Sequence, residues 1–194
     1  LPVGGDVAAI GADALAHPAV HTHAFGGVKG PQRRVTDLRF SPDARWLAVA
    51  SADAAIYLYD TENGYAPAGR CYGHSASVLH IDWSEASDII RSNDLGHELR
   101  FWDAPSGVPI SASVCRDLPW ATARVTLGYH CQGIFRNRAD GTGVHGVDRN
   151  ADGGLLATSD DLGQLNVFRY PCVQPETPQN PNRRTLTGHA SSAL

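Results

Sequence analysis

The chain has 194 residues, 42% of them hydrophobic and 19% charged, with a formal charge of −4. That is long enough to bury a core of its own. The mildly acidic balance argues against the broad basic footprint of a nucleic-acid binder and gives no electrostatic reason to sit on an anionic membrane. No apolar run approaches the roughly 18 residues of a transmembrane helix, and no signal peptide with a basic leading region is visible. Neither nucleic acid nor membrane is therefore an expected partner. Cys71, Cys115, Cys131 and Cys172 are scattered without metal-type or disulfide-framework spacing, and read as reduced thiols of a cytosolic protein. Methionine is absent and the chain starts at Leu1-Pro2, so it reads as a piece of a larger polypeptide.

Residues 1–34 are rich in Ala, Gly and His and keep no sustained strand or helix period. They read as a poorly defined segment or an incomplete structural unit, with short apolar runs at Val7–Ile10 and near Val20. Order begins at Val35. VTDLRF (Val35–Phe40) alternates polar and apolar residues, Ser41-Pro42-Asp43-Ala44-Arg45 makes a turn, and WLAVAS (Trp46–Ser51) reads as a buried strand. Asp53 sits in the next tight turn, AIYLYD (Ala55–Asp60) alternates again, and a fourth strand runs from Tyr65 to Cys71.

The same order then repeats. Strands are expected at Val78–Trp83, Ile89–Asn93, Glu98–Asp103 and near Val108–Ser113, and Trp102 follows Tyr59 by 43 residues. A spacing of roughly 40–45 residues, opened by Gly73-His74 and closed by Trp102-Asp103, is the signature of a four-stranded WD-repeat propeller blade. A third copy holds VHGVDR (Val144–Arg149), LLATS (Leu155–Ser159) and QLNVFRY (Gln164–Tyr170). Its Phe168 lies 66 residues after Trp102, which is 23 more than one period. The excess falls in Pro119–Gly143 and is expected to form an extra hairpin or loop. A Pro-rich connection from Pro171 to Pro181 leads to Arg184-Thr185-Leu186-Thr187 and a second Gly-His pair, Gly188-His189. The fold class is all-β: a β-propeller fragment of about three blades (35–72, 73–118, 119–187) with a further blade beginning at residue 188.

Blades of this type carry a buried hydrogen-bonded chain of a Gly-His histidine, a second-strand Ser or Thr, a turn Asp and a third-strand Trp, because buried polar groups require partners. His74 and Trp102 fit in the second blade, where Asp94 stands at the serine place and Gly96 at the aspartate place. Ser51, Asp53 and Tyr59 fit in the first blade, which lacks the histidine. In the third, Asp160-Asp161 replaces the Ser-x-Asp arrangement. His189 is assigned the same structural role at the start of the following blade.

Constellations that resemble chemistry dissolve on closer reading. Gly141-Thr142-Gly143-Val144-His145-Gly146 matches the dinucleotide fingerprint, but the turn at Asn150 leaves no room for the helix that motif must open. His17, His21 and His23 have no acidic or Cys partner at ligand spacing, and Cys71-x-x-His74 lacks a second half. There is no nucleophile elbow and no phosphate loop. No catalytic, cofactor-binding or metal-binding residue is assigned. Basic residues gather at Lys29, Arg33 and Arg34, at Arg136 and Arg138, and at Arg183-Arg184. Such clusters on loops would help docking to an acidic partner surface.

GHSASVLHIDWSEASDIIRSNDLGHELRFWDA, Pro119-Trp120-Ala121-Thr122, the expected Gly128…Gly133-Ile134-Phe135 hairpin, Asp140-Gly141-Thr142 and LLATSDDLGQLNVFRYPC together resemble the echinoderm microtubule-associated protein-like (EMAP-like) family, over about Val35 to His189. The resemblance implies a tandem atypical propeller protein of the microtubule cytoskeleton, without enzymatic activity or cofactor. Its expected place is the cytoplasm, on microtubules, including the cilium and axoneme. Its expected partners are tubulin, other cytoskeletal or axonemal proteins and the remaining propeller blades of the same polypeptide. The family's hydrophobic signature motif and N-terminal coiled coil are not in this chain. Tyr129, Phe135, Arg136 and Arg138, in the segment additional to a blade, are the candidate protein-contact residues, since loops on rigid scaffolds carry binding. The alternative is a generic WD-repeat adaptor in a ubiquitin-ligase or trafficking complex.

Overall fold

The computed structural model describes residues 30–135, 143–174 and 183–187. These residues form three four-stranded antiparallel sheets. The first runs β1 (Val35–Phe40), β2 (Trp46–Ser51), β3 (Ala55–Asp60) and β4 (Ala66–Tyr72). The second runs β5 (Val78–Trp83), β6 (Ile89–Asp94), β7 (Leu99–Asp103) and β8 (Pro109–Ile110). The third runs β9 (Val144–Arg149), β10 (Leu155–Asp160), β11 (Gln164–Arg169) and β12 (Arg183–Thr187). Each is a meander in chain order, and the all-β propeller reading holds. The expected runs at Val7–Ile10 and Val20, the His17–His23 cluster, Lys29 and Gly188-His189 lie outside the described residues.

One turn chemistry is used three times. Between the first two strands of each sheet, Ser41, Ser84 and Asn150 accept the backbone N–H of Ala44, Ser87 and Gly153 at 2.8, 3.1 and 2.9 Å. Their side chains also accept the N–H that starts the next strand: Trp46 at 2.9 Å, Ile89 at 3.0 Å and Leu155 at 2.8 Å. The residue completing each turn is left-handed, with φ of 60° at Ala44, 65° at Ser87 and 72° at Gly153. Only the third copy uses glycine, so the first two carry roughly 1–2 kcal/mol of conformational strain each.

The first two sheets pack directly face to face. Ala48, Ala50, Ile56, Leu58 and Cys71 of the first meet Val78, Ile81, Trp83, Ile90 and Trp102 of the second in one buried cluster. Polar contacts pin the inner strands: Trp83 Nε1 donates to Arg39 O at 3.2 Å, and the Ile81 N–H donates to Asp37 Oδ2 at 3.2 Å. At the outer edge the β7–β8 turn presses onto β4. A Cβ at Gly69 would collide with the Pro105 carbonyl, and one at Gly107 (φ 72°) with the Arg70 carbonyl. Glycine is required at Gly69 by close approach of two backbones.

Two expectations are corrected. The expected hairpin at Gly128…Phe135 is a 3-10 turn, Tyr129–Ile134. It is held because Gly133 N–H donates to Cys172 O and Cys172 N–H donates to His130 O, both at 2.8 Å. The segment therefore pairs with the chain leaving β11 and not with itself. The outer strand of the second sheet, expected over Val108–Ser113, is only Pro109–Ile110, because Ser111–Cys115 turns away in consecutive tight turns.

Gly69→Ala is expected to cost about 1–3 kcal/mol through overpacking. Gly154→Ala, with nothing within 4 Å of its Cβ position, should stay within about 0.5 kcal/mol. Denaturant unfolding of the two variants checks the contrast, and equal stabilities would show that the β4 contact does not hold the blades together.

Candidate interaction surface

The second sheet contains a buried polar chain. His74 Nε2 bonds Ser92 Oγ at 2.7 Å, and Trp102 Nε1 donates to the same oxygen at 2.8 Å. His74 Nδ1 stands 3.1 Å from Asp94 Oδ2, and both side chains are buried. Asp94 also accepts the N–H of Glu98 at 2.8 Å and of Ala76 at 3.2 Å. Burial pulls the His74 pKa below its usual value, with Asp94 opposing in part. Burial likewise pushes Asp94 upward, but its backbone donors and His74 outweigh that and hold it ionised below the usual range.

This geometry corrects the sequence assignment at Asp94 and Gly96. Ser92 holds the serine place and Asp94 the aspartate place, so the assignment slipped by two residues. Pairing register shows the same slip elsewhere: Val35↔Ser51, Val78↔Asp94 and Val144↔Asp160 open the three sheets equivalently. Ser51 therefore corresponds to Asp94, not Ser92. Asp53 lies beyond the chain, where its carboxylate accepts Tyr57 Oη at 2.7 Å and the Gln32 N–H at 2.8 Å. Thr158 and Asp160 keep the Thr-x-Asp arrangement that Asp160-Asp161 was taken to replace. Asp160 accepts the N–H groups of Leu162 and Gln164 at 3.0 and 2.9 Å and Asn166 Nδ2 at 3.2 Å.

His74, Asp94 and Glu98 bring three donor atoms within 4.8 Å of one another. Of those atoms, Asp94 Oδ2 accepts the Ala76 N–H, Glu98 Oε2 accepts Arg100 Nε at 3.1 Å, and His74 Nδ1 faces Asp94 Oδ2 at 3.1 Å. The arrangement serves as a hydrogen-bond clamp. Cys71 stays outside it, a buried thiol pushed up by burial to about 12.

The segment that makes the third copy late is built around a residue that sequence reading missed. Asp82, on β5, is fully buried. Its Oδ2 receives Arg91 Nη2 at 2.9 Å and Nε at 3.0 Å, and the Val125 N–H at 3.0 Å. Its Oδ1 receives the Arg124 N–H at 2.9 Å and the Thr122 hydroxyl. Burial pushes this carboxyl up, yet Arg91 and the donors prevail and hold it below the usual carboxylate range. The Arg91 guanidinium lies 4.5 Å from the centre of the Trp120 ring. Asp82 and Arg91 are direct cross-strand neighbours, so opposite charges at paired positions on a sheet buried on both faces were the available signal.

From this anchor the inserted segment spans two sheets. Trp120 packs with Phe101 and Cys115 against the second sheet. Ala123, Cys131 and Ile134 pack with Val147, Leu156, Phe168 and Cys172 of the third. Arg149 Nη2 donates to Trp120 O at 2.8 Å, and its guanidinium lies 5.2 Å from the Tyr170 ring centre. Tyr129 projects to solvent at 42% exposure, with the Arg116 guanidinium 4.7 Å from its ring centre. Phe135 is half-buried against the third-sheet core, so it supports the segment more than it presents it. Arg136, Arg138 and His189 lie outside the described residues.

Residues 4–193 match the family model described as the echinoderm microtubule-associated protein second beta-propeller. The chain is 45% identical over 158 residues to the 77 kDa echinoderm microtubule-associated protein of Strongylocentrotus purpuratus, covering 79% of this chain and 22% of that protein. It is 37% identical over 167 residues to the echinoderm microtubule-associated protein-like 2 of Homo sapiens (84% of this chain, 25% of that protein). It is 39% identical over 159 residues to the echinoderm microtubule-associated protein-like 1 of Mus musculus (79% and 19%). The chain thus spans about a fifth to a quarter of the length of these relatives.

Arg91→Met should cost about 3–5 kcal/mol, because it strands the buried Asp82 carboxylate. The double variant Asp82→Asn/Arg91→Met should lose less than the two single changes summed, and an additive double-mutant cycle would refute the pairing. His74 and His80 both fold with pKa values lowered chiefly by burial. The unfolded chain then takes up protons that the folded chain refuses, so stability present above about pH 6.5 falls as the pH drops below it. Unfolding midpoints between pH 7.5 and 5 should decline for the wild type and flatten for His74→Ala. An unchanged slope in that variant would show that folding does not lower the His74 pKa.

Proposed function

Because the chain belongs to the echinoderm microtubule-associated protein family through its second β-propeller, we propose that it is a non-enzymatic scaffold module of a microtubule-associated protein. It works through loops on a rigid propeller and contacts tubulin or neighbouring cytoskeletal and axonemal proteins. The observation that carries this reading is the family match over residues 4–193. The blades are proposed to run 35–72, 73–118 and 119–187, with the next beginning at 188 and further blades of the same polypeptide closing the ring. A propeller requires about four to eight blades. The working place of the protein is the cytoplasmic microtubule cytoskeleton, including the cilium and axoneme.

The contact surface we assign is the inserted segment from Tyr129 to Arg138. Tyr129 offers a rigid, half-exposed aromatic with a cation stacked on it, and Arg136 and Arg138 add charge that suits an acidic partner. Aromatic and Arg residues at the centre of such patches dominate binding energy, whereas charges at the rim set association rate and salt dependence. Co-sedimentation of the full-length protein with microtubules tests the reading. The wild type should pellet at physiological salt, and a Tyr129→Ala/Arg136→Glu/Arg138→Glu variant should bind about ten-fold more weakly (about 1.4 kcal/mol). A wild type that stays in the supernatant would overturn the microtubule reading. A variant that pellets equally would move the contact off this segment.

A further inference from the structure

The outer edge of the second sheet is incomplete in a way that the other two sheets are not. β4 pairs with β3 along its whole length and β12 pairs with β11 at five positions, but β8 pairs with β7 only at Phe101↔Ile110 and Trp102↔Pro109. Continuing that register would set Ala112 opposite Leu99. Instead the chain leaves in tight turns, with the Val114 N–H on Ser111 O at 3.1 Å and the Cys115 N–H on Ala112 O at 3.2 Å.

The direction of Leu99's backbone groups follows from antiparallel alternation. On the β6 side the even-numbered residues bond, as in Asp94 N–H to Glu98 O at 3.2 Å. On the β8 side the odd-numbered ones do, as in Asp103 N–H to Val108 O at 2.8 Å. Leu99 therefore turns its N–H and C=O to the open edge. No backbone hydrogen bond joins it across that edge to any described residue.

A hollow lies along this gap. A trough of about 400 Å³ runs over Glu98–Phe101 and Pro109–Ala112. It shares Leu99, Phe101 and Ala112 with a cavity of about 260 Å³ that reaches Cys115, Trp120 and Tyr129. At the mouth stands Arg116, stacked 4.7 Å over Tyr129 and with no carboxylate of a described residue within ion-pair distance.

We propose that this edge receives an extended acidic peptide as an added strand: it pairs with Leu99, seats one hydrophobic side chain in the cavity beside Trp120, and places a carboxylate on Arg116. A residue directly opposite Leu99 projects its side chain to the same face as Leu99 and Phe101, which is the face where the cavity opens. Exposed strand edges are templates for such pairing. Main-chain bonds supply affinity and the alternate side-chain pocket supplies specificity. The surface goes beyond the microtubule reading and stands without it.

The test uses the full-length protein and a library of blocked ten-residue peptides. Each carries one Phe, Leu or Ile in a Thr/Val background, with Glu at every flanking offset, and is read by fluorescence anisotropy. Members with the Glu at one preferred offset should bind with Kd on the order of tens of micromolar, and a peptide with the hydrophobic residue replaced by Ser should bind at least about ten-fold more weakly. Arg116→Glu, at a fully exposed site, should weaken binding about ten-fold, and so should N-methylation of the peptide residue that pairs with Leu99. Hydrogen exchange should slow at residues 97–103 when peptide is added. The proposal is overturned if no member binds below 1 mM, if Arg116→Glu and N-methylation leave binding unchanged, or if protection appears elsewhere. Strong protection of the Leu99 amide without peptide would mean that a segment of the chain itself already fills the edge, which also overturns it.

Discussion

A buried carboxylate on the first strand of the second sheet sets the terms for everything beyond it. Asp82 carries a charge in a position with no access to water, where an unpaired ion would be prohibitive. Its oxygens are satisfied from two directions: Arg91 from the neighbouring strand, and Thr122, Arg124 and Val125 from the inserted segment. Arg91 does most to keep this residue ionised, and the docked insertion supplies the remaining donors. Arg149 extends the tie to the third sheet through the Trp120 carbonyl. A single buried charge thereby converts an extra length of chain into a spacer between two blades.

The two inter-blade contacts consequently differ in kind. Between the first and second sheets the joint is mostly dry and direct, with indole and branched aliphatic side chains meeting across it. Between the second and third, the inserted segment contributes one apolar surface to each side. The polar clamp of His74, Ser92, Asp94 and Trp102 belongs to the second sheet alone. At the places equivalent to Ser92 and Trp102 the first sheet has Val49 and Tyr59, and the third has Thr158 and Phe168. The fold therefore does not require the clamp in every blade. A buried polar network fixes one arrangement of strands, and here it sits in the blade that must hold both joints.

Most of the architecture was readable from periodicity. Ten of the twelve described strands fall within a residue or two of where alternation and turn residues put them; β8 is markedly shorter, and β12 forms at Arg183–Thr187, where no strand is assigned from the sequence. The polar clamp was misread by two residues for a physical reason: strand side chains repeat with period two, so a slip of two keeps every residue on its expected face. The corrective signal was local. Ala54, His97 and Gly163 take φ of 66°, 61° and 68°, each donating to the residue three before it: Ser51, Asp94 and Asp160. That shared turn aligns the sheets, but only glycine advertises such a conformation in sequence. The 3-10 turn was hidden because its partner, Cys172, lies some 40 residues further along the chain and no local rule pairs them.

The titratable groups in the interior share one pattern. Asp82 and Asp94 are held ionised by their donors, and His74 and His80 are held neutral by burial against the pull of Asp94 and Asp37. Groups poised for acid–base work carry pKa values displaced toward the working pH, and these two acids are displaced away from it. Their protonation is spent on holding strands together. The two surfaces proposed for recognition lie where the clamps leave the chain exposed: a segment bearing Tyr129 and Arg116 on one side of the second sheet, and the unpaired Leu99 edge beside it. Both arise because the chain leaves β8 early to build the insertion. The shortened strand and the added segment are two consequences of one departure from the blade, and they open the same face of the molecule.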